Sequence, residues 1–457
     1  METTTEEKKK VFIKTYGCQM NDRDSNAVGQ DMAEAGYELT TNEEEADVML
    51  FNTCSVRDQA ERKAMGKVGT IRKTLKDRPE VQVGVIGCMA QSKGSEITDK
   101  YEHVDIVVGT DQLHRIPALL DQAEKEKKQI VQTSLSRDIL ERLDKHPEGE
   151  LVAQVSIMRG CNEYCTYCIV PFTRGQEKSR SISSIVAECE ALVKKGAREI
   201  MLLGQNITAY GILERRRDRQ YNKEESPFAE LLEELCKIED LKRIRFTSPH
   251  ARYFNDHLID TIAKNHKICK GIHFPLQSGS DKILKVMRRR HTGAEFLEWT
   301  QKLRAKIPNV TFSTDLIVGF PGEEQEDFDA TRQLCNDVDF DQQFIFRYSK
   351  RKNTPAANMP GQLDEETKVE RNQILLKDLE LRLTAKNQAY LGTEQEILVD
   401  GPSKRNPDRW SGRNTNYKIV IFDPVEGVAK GDLVKLKIDR ATQHALYGSY
   451  VAHSENN

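Results

Sequence analysis

Residues 152–168, VAQVSIMRGCNEYCTYC, join an apolar strand pattern directly to three closely spaced cysteines. The run 152–158 predicts a β-strand, and Cys161, Cys165 and Cys168 follow it with the spacing C-x3-C-x2-C. In α/β barrels, the loops at the carboxyl ends of the strands carry the chemistry. This stretch therefore predicts a reactive cysteine loop at the mouth of a barrel.

The spacing of these three cysteines favours an iron–sulfur cluster. Three neighbouring thiolates can bind three irons of a [4Fe–4S] cluster and leave the fourth iron open to a small molecule. A zinc site is the first alternative, but it would need a fourth ligand, and no His or Cys follows closely enough to supply one. A redox disulfide is the second alternative.

The strand pattern that begins at residue 152 occurs six times, with helical patterns such as 183–196 and 228–238 in between. Six βα units, without the two that would close a full barrel, predict an open (β/α)6 barrel. A long helix is predicted after them, over 364–390. The six strands are predicted at 152–158, 199–204, 243–248, 271–276, 311–319 and 343–349.

The first part of the chain predicts a separate, Rossmann-like parallel sheet. Near-continuous apolar runs at 11–16, 48–53 and 81–87 alternate with helical patterns, as in sheets that are covered on both faces. Together with the barrel, this alternation assigns the chain to the α/β class.

Cys18, Cys54 and Cys88 each follow one of these three strands. Because the carboxyl ends of parallel strands lie side by side, we expect the three thiols to converge although they are far apart in sequence. They are predicted to bind a second cluster, and the alternative is three small buried hydrophobic side chains. The polar neighbours Gln19, Asn21, Asn52 and Gln91 favour a hydrated functional edge.

Four further cysteines carry no such signal. Cys189, Cys236 and Cys335 lie within helical patterns, and Cys269 lies beside a strand pattern. Free cysteine commonly packs as a small apolar residue, so all four are predicted to pack in the core or to fill surface positions.

The tail differs from the rest of the chain. Short strand patterns at 394–401, 415–422, 432–439 and 445–452 alternate with turns that contain Gly or Pro. This pattern predicts a small all-β barrel. Cations and one aromatic ring in the tail suit RNA phosphates and bases, although a solvated charged loop is the alternative. The predicted RNA-binding residues are Lys404, Arg405, Arg409, Trp410, Arg413 and Lys418.

Length and composition limit the possible classes. A chain of 457 residues predicts roughly three domains. The net charge of −3 means that a nucleic-acid site must be a local basic patch. The chain has no long apolar run and its first ten residues are polar, so we expect a cytoplasmic protein without membrane contact. A monomer is also expected.

Several stretches of this sequence resemble the methylthiotransferase family of radical S-adenosylmethionine (SAM) enzymes. The first four are TYGCQMN (15–21), NTCSVRDQAERK (52–63), GCMAQ (87–91) and RGCNEYCTYCIVPFTRG (159–175). Further matches are LLGQN (202–206), RFTSPH (245–250), FPLQSGS (274–280), MRRRHT (287–292) and DLIVGFPGE (315–323). The tail is similar to a TRAM domain. The charged stretch 211–226 departs from the family pattern and is predicted to be a solvated loop.

The resemblance implies a domain organisation and a set of cofactors. It implies an N-terminal methylthiotransferase domain (1–131), a linker (132–150), a radical SAM domain (151–385) and a TRAM-like RNA-binding domain (386–457). Two [4Fe–4S] clusters are implied, one that binds and cleaves SAM and an auxiliary one that delivers sulfur. The residues expected to bind SAM are Tyr167, Gly204, Gln205, Asn206, Ser278, Asp315, Gly319 and Glu323.

The implied reaction places a methylthio group on C2 of N6-isopentenyladenosine 37 of tRNA and uses two SAM molecules. An electron donor such as flavodoxin or ferredoxin and a sulfur or cluster donor protein are implied as partners. Two alternatives stay open. One is a sister methylthiotransferase acting on threonylcarbamoyladenosine or a ribosomal-protein aspartate, and the other is a non-catalytic RNA-binding iron–sulfur protein. The stretch 55–57, Ser-Val-Arg, favours the isopentenyladenosine group.

Overall fold

A computed structural model describes residues 8–55, 58–136 and 149–454. It contains a six-stranded parallel sheet, six parallel strands arranged as two sheets of three, and a closed five-stranded barrel. The predicted α/β fold class and the β tail are therefore confirmed. Most of the predicted linker 132–150 lies outside the described residues, as do Val56 and Arg57 of the stretch 55–57.

The N-terminal sheet has the strand order β2-β1-β3-β4-β5-β6, and every neighbouring pair is parallel. Its strands are β1 (Lys10–Tyr16), β2 (Glu38–Thr40), β3 (Val48–Thr53), β4 (Gln82–Gly87), β5 (Ile106–Val108) and β6 (Ile130–Gln132). Its helices are α1 (Gln19–Glu34), α2 (Asp58–Ile71), α3 (Cys88–Lys93), α4 (Ser95–Lys100) and α5 (Ile116–Glu126). The sequence predicted β1, β3 and β4 but missed the other three, each of which has only three residues.

Register aligns the ends of the three central strands. Tyr16 of β1 lies opposite Thr53 of β3, and Thr53 lies opposite Gly87 of β4. Every residue of β3 and β4 is buried, because helices cover both faces of the sheet. The chain therefore leaves the three strands at one level along the same edge.

The middle of the chain forms the open barrel. Its six strands are β7 (Val152–Ser156), β10 (Glu199–Leu203), β11 (Arg243–Phe246), β12 (Gly271–His273), β13 (Thr311–Val318) and β14 (Gln342–Arg347). They form the sheets β11-β10-β7 and β12-β13-β14, and Ile244 makes a parallel bridge to Ile268 just before β12. All six predicted strands are present. The largest apolar core of the described residues fills the space between these strands and their helices.

The barrel helices are α6 (Val170–Thr173), α7 (Ile182–Lys194), α8 (Ile212–Arg217), α9 (Pro227–Cys236), α10 (Asp256–Lys264), α11 (Asp281–Val286), α12 (Gly293–Lys306), α13 (Gln325–Val338) and α14 (Glu365–Gln388). The last of these confirms the long helix predicted over 364–390. The prediction of a loop over 211–226 was wrong for six residues, because α8 forms there and Ile212 is buried. An antiparallel ribbon, β8 (Met158–Arg159) with β9 (Lys178–Ser179), flanks the cysteine loop and was not predicted.

The tail is a closed barrel with the order β15-β16-β17-β19-β18. Its strands are β15 (Glu394–Pro402), β16 (Trp410–Arg413), β17 (Ile419–Phe422), β18 (Leu433–Ala441) and β19 (Leu446–His453). The sequence missed β16. It also started β17 four residues early, because Tyr417 occupies a turn with φ 66°.

Two buried arginines of β11 attach the tail to the open barrel. Arg243 donates to the carbonyl oxygen of Glu396 over 3.0 Å. Arg245 donates to the carbonyl oxygens of Asn414 and Thr415 over 2.7 and 3.0 Å, and its Nε also donates to Glu199. These bonds fix the tail against β11.

No helix within the described ranges combines the length and the apolar character needed to cross a membrane.

Candidate active site

The three early cysteines meet at the carboxyl edge of the N-terminal sheet. Cys18, Cys54 and Cys88 directly follow the aligned ends of β1, β3 and β4. Glycine precedes two of them for a steric reason, since a Cβ on Gly17 would come within 2.6 Å of the Cys54 Cβ. A Cβ on Gly87, whose φ is 92°, would come within 2.3 Å of a side-chain oxygen on β3. The sequence thus permits a close approach of the three thiols.

A cation from the barrel domain faces these thiols. A hydrogen bond with Cys54 and the nearby Arg174 guanidinium lower the pKa of Cys18 to about 6, although its burial acts in the opposite direction. Burial raises the pKa of Cys88, which Arg174 partly offsets. Arg174 lies six residues after Cys168, so a residue of one cysteine segment contacts the other cysteine trio.

A buried polar network supports Cys18. The Cys18 thiol donates to Asn21 Oδ1 over 3.3 Å, and Asn21 Nδ2 donates to Asn52 Oδ1 over 3.0 Å. Asn52 in turn donates to Ser25 Oγ over 2.9 Å. The expectation of a hydrated edge was wrong for Asn21 and Asn52, because both are fully buried. Their amides position the strand ends that carry the cysteines.

The second trio lies in the loop after β8. The Cys161 amide donates to the Gly175 carbonyl oxygen over 3.2 Å, and the Cys168 amide donates to the Cys165 carbonyl oxygen over 2.9 Å. These backbone bonds fold the loop into a compact turn in which the three thiols influence one another electrostatically. Burial raises the pKa of Cys168 to about 12. Arg289 Nη1 lies 3.8 Å from the Cys165 sulfur.

Each trio therefore offers three thiol sulfurs and a neighbouring guanidinium. Sulfur-only ligation by cysteine is the donor set of iron–sulfur clusters, and hydrogen bonds to sulfur tune their potential. In the part of the chain that the structure describes, no group of three or more His, Cys, Asp or Glu side chains already has the arrangement of a bound metal ion. The donor chemistry of both trios fits a cluster.

Buried polar contacts across the domain boundary connect the two segments that carry the trios. Asp24 of α1 accepts from Arg174 over 2.9 Å and from Arg159 over 3.1 Å. Asp111 pairs with Lys178 over 3.0 Å on the same boundary. The sequence analysis missed Asp24, Arg159 and Arg174. Arg174 lies in the motif RGCNEYCTYCIVPFTRG, but its contact with the early cysteines depends on domain packing.

Three of the residues expected to bind SAM lie at the end of β10. Gln205 Oε1 accepts a 2.7 Å hydrogen bond from the Gly160 amide, directly before Cys161. Gly204 lies against Met158, where a Cβ would approach the Met158 Cγ to 2.7 Å. Asn206 is buried, and its Nδ2 has no hydrogen-bond partner within the described part of the chain. Gln205 therefore supports the cysteine loop, and Asn206 is available to a ligand.

The other expected SAM residues lie on the opposite half of the barrel. Ser278 Oγ accepts from the Ser280 amide and contacts Thr331, and Asp315 accepts from His273 over 3.3 Å. Gly319 donates to Glu323 over 2.9 Å. Glu323 also accepts from Arg371 of α14 over 2.5 Å. Their contact with SAM stays a prediction, and the structure gives Ser278 and Glu323 partners within the chain.

Tyr167 and Arg289 pack next to Cys165. The Tyr167 ring meets Phe320 edge to face at 6.5 Å, and burial raises the pKa of its hydroxyl. Beyond them, a cavity of about 760 Å³ opens beside the exposed Tyr164. Its lining includes Lys285, Arg288, Arg290, His291 and Glu163.

A group of buried acids at the cysteine loop was also missed. Burial, followed by the neighbouring Glu214 and Glu163, raises the pKa of Glu177 to about 8. Tyr253 donates a short hydrogen bond to Glu163. Acids at separate positions in sequence give no shared pattern, so only their spatial proximity identifies them.

The predicted RNA-binding residues of the tail divide into two groups. Lys404 and Arg405 are exposed. The others have partners within the tail or are partly buried: Arg409 pairs with Asp423 over 2.9 Å, Arg413 pairs with Asp400 over 2.9 Å, Trp410 packs against Phe422, and burial lowers the pKa of Lys418. Their role in RNA binding stays a prediction.

Among the other cysteines, Cys189, Cys269 and Cys335 are buried and Cys236 is half-buried, so core packing is confirmed.

Three family models match the chain. The Radical SAM superfamily matches residues 155–335, the uncharacterized protein family UPF0004 matches residues 10–109, and the TRAM domain matches residues 388–451.

Two relatives that match nearly the whole chain carry the same name. The tRNA-2-methylthio-N(6)-dimethylallyladenosine synthase of Methylacidiphilum infernorum is 44% identical over 445 residues, covering 96% of this chain and 94% of the relative. The synthase of the same name from Akkermansia muciniphila is 42% identical, covering 96% and 98%.

Solved structures agree on the fold alone. The radical S-adenosylmethionine methyltransferase TsrM from Kitasatospora setae superposes with a TM-score of 0.56 at 12% identity, covering 76% of this chain and 75% of that one. OxsB, a cobalamin-dependent S-adenosylmethionine radical enzyme, gives a TM-score of 0.52 at 11% identity, covering 82% and 56%.

An open (β/α)6 barrel with a C-x3-C-x2-C loop at its mouth defines a radical SAM enzyme, a class that uses a [4Fe–4S] cluster and SAM. The N-terminal sheet and the β-barrel tail narrow the assignment from the radical SAM class to one family within it. The chain belongs to the methylthiotransferase family of radical SAM enzymes, as its full-length relatives named tRNA-2-methylthio-N(6)-dimethylallyladenosine synthase establish.

Proposed function

We propose that this chain methylthiolates C2 of N6-isopentenyladenosine at position 37 of tRNA. The observation that carries the proposal is that Arg174, six residues after Cys168, reaches across the domain boundary to Cys18 and Cys88. The names of the full-length relatives support the choice of this substrate over threonylcarbamoyladenosine or a protein aspartate.

The two trios would hold two [4Fe–4S] clusters. Cys161, Cys165 and Cys168 would hold the cluster that takes SAM at its open iron, and Cys18, Cys54 and Cys88 would hold the auxiliary cluster. Together with two molecules of SAM, these groups supply a carbon radical that can remove the unactivated C2 hydrogen of adenine, and a sulfur with its methyl group.

The chain's own residues position these groups and exclude water. Gln205 holds the Gly160 amide, and the backbone bonds of Cys161 and Cys168 fix the loop in one conformation. Arg289 donates toward Cys165 and offsets the negative charge that gathers on the sulfurs. Asn206, with a buried unpartnered amide, would donate to a bound cofactor or base.

The RNA would be bound by two surfaces, one on the tail and one at the cavity beside Tyr164. Lys404 and Arg405 would contact phosphates from the tail, and the cations of the cavity beside Tyr164 would bind backbone near the reacting nucleotide. The adenosine must leave the stack to reach the cysteine loop, which costs least in a loop such as the anticodon loop. An electron donor and a sulfur or cluster donor would act as partners of a monomer.

Nucleoside mass spectrometry tests this function. tRNA from a strain that lacks the gene should contain isopentenyladenosine without its methylthio form, and the wild-type gene should restore the modification. A variant with Cys161, Cys165 and Cys168 replaced by Ala should fail to restore it. Normal methylthio-isopentenyladenosine in the deletion strain, or full restoration by the triple variant, would contradict the proposal.

A further inference from the structure

Arg174 lies where the two halves of the proposed site meet. It ends the short helix α6, and the Arg174 amide donates to the Val170 carbonyl oxygen over 2.8 Å. Its side chain is about 4% exposed and crosses into the N-terminal domain. There the guanidinium acts electrostatically on Cys18 and Cys88. A charged group is seldom placed at such depth without a full set of partners.

The hydrogen bonds of Arg174 are incomplete. Nη2 donates to Asp24 over 2.9 Å, whereas the buried Nη1 has no partner among the residues that the structure describes. A buried cationic donor without an acceptor is destabilising, so an acceptor is expected beside it. Asp24 accepts from one arm of the Arg174 guanidinium, and the thiols of Cys18 and Cys88 lie near it. We therefore expect the acceptor for Nη1 to be part of the group that these thiols bind.

We propose that Arg174 contacts the group held by Cys18, Cys54 and Cys88 and donates an Nη1 hydrogen bond to one of its sulfur atoms. This inference rests on the proposed function, because that group is the auxiliary cluster. The bond stabilises added negative charge on sulfur and so raises the reduction potential of the cluster. Arg174 would also link the auxiliary site to the segment that carries Cys168, because the short helix α6 lies between the two residues.

Arg159 provides a matched control. It donates to the same carboxylate, Asp24, over 3.1 Å and is also largely buried. Arg174 is among the largest influences on the pKa of both Cys18 and Cys88, whereas Arg159 is not. Replacing Arg159 by Gln therefore removes an Asp24 ion pair of the same kind and leaves the donor that faces the thiols in place.

The test uses full-length protein with Cys161, Cys165 and Cys168 replaced by Ala, so that only the early trio can hold a cluster. We expect Arg174→Gln to move the midpoint potential to a more negative value and to change the electron paramagnetic resonance spectrum of the reduced cluster. Arg174→Lys should restore part of the shift, and Arg159→Gln should change neither quantity. In the otherwise unmodified enzyme, Arg174→Gln should lower methylthiolated product per SAM cleaved by about tenfold or more.

The possible results distinguish a failure of the proposed function from a failure of the role proposed for Arg174. A parent protein that binds no iron at the early trio would overturn the proposed function together with this inference. A cluster whose potential and spectrum are the same in the parent, Arg174→Gln and Arg159→Gln would overturn the role of Arg174 alone. If Arg174→Gln does not fold, Arg174→Lys still decides, since a lysine ammonium cannot reproduce the two-armed geometry of the guanidinium. A spectrum and potential identical to those of the parent would then contradict a directed Nη1 bond.

Discussion

Arg174 donates a 2.9 Å hydrogen bond to Asp24, and this ion pair joins the segment of one cysteine trio to the helix behind the other. Asp24 is fully buried and also accepts from Arg159 over 3.1 Å. Burial alone would raise the pKa of Asp24, but Arg174, Arg159 and Arg23 together lower it. The carboxylate therefore stays ionised and serves as the shared counter-ion of the arginines at the domain boundary.

Asp24→Asn should destabilise the protein by about 3–5 kcal/mol, because it leaves buried guanidinium groups without their counter-charge. Chemical denaturation monitored by circular dichroism measures the loss. Asp22→Asn, an exposed change on the same helix, is the control and should stay within about 0.5 kcal/mol of wild type. Equal stability of both variants would show that Asp24 does not organise the boundary.

Cys18→Ala should abolish methylthiolation and leave reductive cleavage of SAM largely intact. The two functions separate because Cys18 belongs to the early trio, whereas SAM is expected at Cys161, Cys165 and Cys168. Assays of 5′-deoxyadenosine and of modified nucleoside in one reaction measure both. Cys189→Ala, a buried change in α7, controls for the loss of a thiol. Loss of SAM cleavage with the second cluster still present would refute this division of roles.

Glu177→Gln should stabilise the protein at pH 7.5 by on the order of 1–3 kcal/mol. The pKa of Glu177 is raised to about 8, so the folded state keeps a proton that the unfolded state has released. Wild-type stability therefore falls as pH rises from the ordinary glutamate pKa toward 8, and the neutral glutamine removes this loss.

Thermal unfolding between pH 5 and 8 measures this effect. The advantage of Glu177→Gln should shrink toward pH 5, because the glutamate of the unfolded state takes up its proton as the pH approaches the ordinary glutamate pKa. Glu190→Gln, an exposed change in α7, should show no such trend. A pH-independent difference between Glu177→Gln and wild type would contradict the raised pKa.

Replacing Lys404 and Arg405 by Ala should weaken tRNA binding and reduce its salt dependence by about one to two counterions. Both cations are exposed, so their charge is available to phosphate. Arg413→Ala is the matched control, because Asp400 already neutralises that cation at 2.9 Å. Filter binding across a range of salt concentrations measures the slopes. A larger effect from Arg413→Ala would reverse the assignment of the RNA-facing surface.

The sequence predicted the large elements because their apolar patterns are long. The strands β3 and β4 are buried throughout, and such runs signal a parallel sheet without further information. Several elements of two to four residues escaped prediction, among them β5, β6 and the ribbon of β8 and β9. Strand β16 was missed because it lies within the basic stretch that was interpreted as an RNA-binding loop.

The convergence of Cys18, Cys54 and Cys88 was predictable for a physical reason. Parallel strands in register end at one edge, so residues about one strand–helix unit apart become neighbours. The partners of the cysteines were not predictable. Arg174 and Asp24 are 150 positions apart and meet only because two domains dock. A contact of this kind has no periodicity that a single sequence could show.

Iron and acid-labile sulfide content tests the central claim, two cysteine trios with one cluster each, most directly. Anaerobically purified and reconstituted wild-type protein should hold about eight irons per chain. A variant with Cys18, Cys54 and Cys88 replaced by Ala should hold about four, and so should one with Cys161, Cys165 and Cys168 replaced by Ala. A variant of either trio that keeps the full iron content of wild type would contradict the account.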